Sequence, residues 1–118
     1  MKKLLYLFVL LLAGCNAPSA ETLEVTIKAT KHEVAAFEPV KITSHVTVNN
    51  EPISSGVELD FELFNPDGTS IGTVKPTNEG NGLYSLETSF DGQGTYKIIS
   101  HVSYGELHEM PEVEVTLK

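Results

Sequence analysis

Apolar and polar residues alternate one by one along most of this chain, which predicts strands that bury one face and wet the other. Leu23, Val25, Ile27 and Ala29 share one face, with Glu24, Thr26 and Lys28 on the other. Val40, Ile42, Val46 and Val48 repeat the pattern and turn Lys41, Thr43, His45 and Thr47 outward. Val57, Leu59, Phe61 and Leu63 alternate with Glu58, Asp60 and Glu62, and a short strand is expected around Ile71 to Val74. Tyr84, Leu86, Thr88 and Phe90 form another row, Tyr96, Ile98 and Val102 the next, and Val113, Val115 and Leu117 the last. Asn65-Pro66-Asp67-Gly68, Asn78 to Gly82 and Asp91 to Gly94 supply turn and loop residues between them. About seven short strands without a convincing helix predict an all-β fold, an antiparallel β-sandwich of immunoglobulin-like type. Gly94-Thr95-Tyr96, at the start of the penultimate strand, has the form of a tyrosine corner. The positions where an antibody domain carries its inter-sheet disulfide fall near Ile42 or Ser44 and near Ile98.

The N-terminus breaks this alternation. Lys2 and Lys3 precede an unbroken apolar run from Leu4 to Ala13, only half of the roughly 20 residues that a membrane-spanning helix needs. A basic start followed by a short apolar stretch is the layout of a secretory signal. Leu12-Ala13-Gly14-Cys15 is similar to the lipobox of bacterial lipoprotein signals, in which small residues precede a cysteine that becomes the acylated N-terminus. The expectation is a signal peptide over 1–14, a lipidated polar tether over 15–21 and one β-domain over 22–118. The lipid on Cys15 would anchor that domain to the cell membrane on its extracytoplasmic face. Fully extended, the tether reaches about 20 Å.

Composition narrows the function further. The 118-residue chain carries a net charge of −8, and removing Lys2 and Lys3 takes it to −10. A surface this acidic repels phosphate backbones and anionic lipid, so nucleic acid is not expected as a partner. Cys15 is the single cysteine, and acylation leaves no thiol for a disulfide or a nucleophile. No serine is framed as a nucleophile elbow, and the Glu58, Asp60, Glu62 stripe lacks the glycine and closing glutamate of a calcium loop. The chain reads as a binding protein and not as an enzyme.

Candidate chemistry gathers at the last hairpin, His101 to Pro111. A two-residue loop at Gly105-Glu106 suits a hairpin with glycine first. That register pairs residues whose numbers sum to 211, so Tyr96 meets Val115, Ile98 meets Val113 and Lys97 meets Glu114. Apolar then faces apolar, as a correct register requires. It also places His101 opposite Met110 and Ser103 opposite His108, all on the face away from the core. Glu109 falls on the inward side opposite Val102, which requires that the hairpin tip extend beyond the core. Two imidazoles and a thioether form a soft ligand set, and the metal that suits it outside the cytoplasm is copper as Cu(I). His101, His108 and Met110 are the candidate ligands; His45, outward on another strand, is a possible fourth at an unfixed distance. The bland alternative is that both histidines are solvated strand residues.

Here the chain resembles the YtkA-like (FixH-related) domain of small extracytoplasmic bacterial proteins. The resemblance rests on Gly82-x-Tyr84, Gly94-Thr95-Tyr96, His101 and Leu107-His108-x-Met110-Pro111, and spans nearly the whole domain after the tether. It implies an immunoglobulin-like sandwich and, for some members, copper binding in the assembly of haem-copper cytochrome oxidase. His101, His108 and Met110 are the positions that would carry that metal, and an oxidase or a copper-transfer protein would be the partner. Members often add histidine or methionine in mid-domain, which Asn65 to Thr77 lacks. The other reading is an immunoglobulin-like interaction module of the cell envelope that binds no metal.

Overall fold

A computed structural model describes residues 21–118; the expected signal peptide, Cys15 and the tether up to residue 20 lie outside the described residues. Strands follow the alternation: β1 (Leu23–Ala29), β2 (Glu33–Val34), β3 (Val40–Val48), β4 (Glu51–Pro52), β5 (Glu58–Phe64) and β6 (Ser70–Val74). Then come β7 (Thr77–Gly80), β8 (Leu83–Thr88), β9 (Gly94–Tyr104), β10 (Leu107–Glu109) and β11 (Glu112–Leu117). Among the described residues there is no helix. One sheet has the order β1-β3-β8-β7 with β4 beside β3; the other has β2-β11-β9-β5-β6 with β10 beside β9. All pairings are antiparallel except β2 with β11. The fold is the expected β-sandwich.

Alternation places the core between the sheets. Along β3 every second residue, from Val40 to Val48, is buried. Phe61, Ile98, Val102 and Val115 face them from the second sheet, and all belong to one cluster. Two serines sit in the middle of this apolar layer. Ser44 on β3 and Ser100 on β9 are fully buried, and the Ser44 hydroxyl donates to Ser100 Oγ at 2.9 Å, tying one sheet to the other. The inter-sheet link therefore uses Ser100, two residues beyond the Ile98 position expected from the sequence. Among the described residues each hydroxyl has only the other as its hydrogen-bond partner, so losing one strands the other. Ser100→Ala is expected to cost about 1–3 kcal/mol, and Ser44→Ala with Ser100→Ala less than that. Chemical denaturation of the single and double variants measures the difference; a double change as costly as the sum of the singles means the hydroxyls are not coupled.

The tyrosine corner forms as expected. Tyr96 donates its hydroxyl to the Gly92 carbonyl at 2.7 Å and accepts the Gly92 N–H at 3.1 Å, while its ring stacks on Phe90. One local expectation changes: Asn78 to Gly82 is not all loop, because Thr77–Gly80 pairs with β8 as an edge strand. Its sequence, Thr-Asn-Glu-Gly, has no apolar period because its side chains stay largely in solvent. Backbone pairing and the Asn78 amide, bonded to the Ser54 carbonyl, hold it instead.

The registers also fix the two ends of the sandwich. Leu23 pairs with Val48 at one end, where Thr22 bonds Asn49 and where β9 finishes at Tyr104. Val40 pairs with Thr88 and Leu117 with Gly94 at the other. The β9–β10 hairpin tip thus lies at the end where the chain arrives from its N-terminal segment.

Candidate metal centre

The hairpin keeps one register throughout. Leu107 pairs with Tyr104, His108 with Ser103 and Glu109 with Val102. Beyond the break at Met110-Pro111, Glu112 pairs with Ile99 and Val115 with Tyr96. Pro111 has no N–H to give, but its carbonyl accepts the Ser100 N–H at 2.9 Å, so the alignment holds and Met110 falls opposite His101. Gly105, with φ +61, takes the first turn position, where a Cβ would be strained. Glu109 is exposed although its partner Val102 is buried, but Tyr104 and Leu107, nearer the tip, are half-buried against the core, so the tip does not extend beyond the core as the sequence led us to expect.

His101 and His108 are held by different groups. His101 stands 36% exposed on β9, and its Nε2 lies 2.8 Å from Glu62 Oε1 on β5. Strand pairing puts Asp60 directly opposite His101 and Glu62 one step along, so the imidazole leans across the diagonal. The other Glu62 oxygen accepts the Ser70 hydroxyl at 2.7 Å. That hydroxyl, and next the His101 ring, hold the Glu62 carboxyl below the usual carboxylate range. A group lowered in this way adds stability above the ordinary carboxylate pKa, and the addition fades as pH falls through the lowered value. At neutral pH Glu62 is ionised and can only accept, so Nε2 carries a hydrogen, and in the neutral form of the ring the lone pair is on Nδ1. His108 is exposed, with Nδ1 2.9 Å from Ser103 Oγ. In each ring one nitrogen is fixed by a neighbour and the other has no hydrogen-bond partner among the described residues.

Met110 is 63% exposed. Among the described residues no group of three or more His, Cys, Asp and Glu side chains is placed to hold a metal, so a centre here depends on the thioether. His45 is excluded from it. That residue points from the outer face of the other sheet, opposite Thr26 and Leu83 and across the core from the hairpin. His32 is exposed, with Nδ1 3.2 Å from the Glu114 carbonyl. Glu62 is the residue that sequence reasoning treated as part of a solvated stripe; no local pattern marks it, because β5 and β9 are neighbours only in the fold.

A sequence profile described as YtkA-like matches residues 19–101. That segment contains both glycine-tyrosine elements and ends at His101, so His108 and Met110 lie beyond it. No curated protein sequence matches the chain. Among solved structures, a superoxide reductase (neelaredoxin) from Ignicoccus hospitalis superposes with a TM-score of 0.49 at 20% identity, over 90% of each chain. A variant of the same protein gives 0.47 at 13% identity, over 90% of this chain and 87% of that one.

Proposed function

Because the chain belongs to the YtkA-like family, we propose that it is a lipid-anchored extracytoplasmic protein that binds Cu(I) on the β9–β10 hairpin and hands it to a partner. His101, His108 and Met110 are the ligands in this reading, and the acceptor is a haem-copper oxidase under assembly or another copper protein. The observation that carries it is the state of the two imidazoles. Metal-binding histidines commonly fix one ring nitrogen through a carboxylate or hydroxyl and present the other to the metal. His101 has that form with Glu62, and His108 has it with Ser103 in the tautomer that carries its hydrogen on Nδ1. Met110 on the facing position supplies the soft donor that favours Cu(I) over zinc.

Exposure suits transfer. A two- or three-ligand site at a hairpin tip leaves a side of the ion open, so an acceptor ligand can attach before the last donor here lets go. With the lipid on Cys15 and a tether of about 20 Å, the hairpin end of the sandwich faces the membrane and acceptors embedded in it. The chain acts as a carrier, and no catalytic step is assigned to it.

Anaerobic Cu(I) titration of the full chain, with a chromophoric competitor, tests this. One equivalent bound tightly is expected, and Glu62→Gln should weaken it roughly tenfold, because the His101 ring loses its charged anchor. If the wild-type protein takes up no stoichiometric copper, the reading is wrong. The competing reading, an interaction module without metal, is favoured by the His101–Glu62 pair serving as a strand-to-strand bond alone. It predicts that copper leaves the melting temperature unchanged.

A further inference from the structure

The loop between β2 and β3 contains an aromatic residue at a glycine position. Ala35-Ala36-Phe37-Glu38 closes a β-turn in which the Glu38 N–H donates to the Ala35 carbonyl at 3.1 Å. Phe37 has φ +63, and Ala36 is not among the residues with positive φ. Negative then positive φ defines a type II turn, whose third residue is normally glycine or asparagine because a Cβ is strained there. The phenyl ring does not repay that strain by packing, since Phe37 is 72% exposed.

Neighbouring bonds hold the turn in place. The Phe37 N–H donates to the Phe90 carbonyl at 2.8 Å. The Ala35 N–H donates to the Glu38 carboxylate at 2.9 Å, and Lys31 bonds the other oxygen of that carboxylate. Backbone strain that persists because its surroundings over-determine it is a mark of a functional position. A rigidly presented aromatic ring is also the kind of side chain that dominates protein interfaces. The paired charges around it cancel and leave one acidic group over. Lys31 is paired with Glu38 and Lys118 with Glu33. Asp91, next to Phe90, is exposed and has no cationic partner among the described residues.

We propose that Phe37 anchors a protein-docking surface at the end of the sandwich away from the hairpin, for a partner with an apolar pocket rimmed by lysine or arginine. The net charge of −8 opposes both a second copy of the chain and an anionic lipid surface as the occupant. Electrostatic complementarity steers a basic partner to this end and sets its orientation. The surface is independent of the copper site and stands whether or not the hairpin binds metal.

Two measurements test it. Phe37→Gly relieves the strained turn and should raise the melting temperature by roughly 2–5 °C; an unchanged or lower value removes the premise. Placing the photocrosslinking analogue p-benzoylphenylalanine at position 37 of the full chain, in the cells that make it, reads the partner. One discrete adduct is expected, joined to a peptide with apolar residues flanked by lysine or arginine, and Asp91→Lys should lower its yield several-fold. Absence of an adduct, attachment to lipid or to a second copy of the chain, or a yield indifferent to Asp91→Lys overturns the proposal.

Discussion

Replacing His101 and Met110 with alanine together is expected to weaken Cu(I) binding about a thousandfold, close to 4 kcal/mol at 1.4 kcal/mol per decade. The double change leaves His108 as a lone exposed imidazole, which competes poorly with water and buffer for a soft ion. His101→Ala alone leaves a His108–Met110 pair and should cost roughly tenfold to a hundredfold, on the scale of losing one supporting group. Stability should hardly move, because both positions lie on the outer face of the sandwich and the His101–Glu62 pair is solvent-screened. Competition titration beside a thermal melt separates the two effects. A double variant that binds copper like the wild type places the metal elsewhere or nowhere. A variant that loses copper and melts much earlier shows that the hairpin has collapsed and says nothing of ligation, so His108→Gln serves as the milder control.

Phe61→Ala should cost about 3–5 kcal/mol, the usual range for removing a buried phenyl ring. Phe61 is fully buried on β5, where its strand is paired on both sides: Ser100 faces it from β9 and Val74 from β6. The cavity would therefore open beside the Ser44–Ser100 link at the centre of the sandwich. Domains of this size have a total stability of about 5–15 kcal/mol, and here the single cysteine allows no disulfide to share the load within the chain. Urea denaturation followed by circular dichroism measures the loss; a change under about 1 kcal/mol, the scale of a volume-conserving swap, would mean that the core closes without this ring. The next residue on the strand is Glu62, so the variant should also loosen the anchor of His101 and weaken copper uptake secondarily.

Most of the fold was legible in the sequence because a strand with one buried face must write that face into every second residue. The rows from Leu23 to Ala29, Val40 to Val48 and Tyr96 to Val102 are all strands with the expected face inward. The hairpin register was legible for the same reason: only one alignment brings Ile98 against Val113 while Gly105 takes the turn. β7 was not legible, because an edge strand with exposed side chains has no apolar period to show.

The sequence by itself thus determined the sandwich, the tyrosine corner, the pairing of the last hairpin and, through it, the shared outer face of His101, His108 and Met110. Those are local or single-register facts, set by alternation and turn chemistry. Tertiary structure alone decided what surrounds them. It brought Glu62 from β5 to the His101 ring, sent His45 to the opposite face, joined Ser44 to Ser100 through the core, and set Phe37 in a turn that would suit glycine. The first three depend on which strands become neighbours across long stretches of chain, the last on the Phe90 carbonyl that holds the Phe37 N–H, and side-chain periodicity carries no record of either.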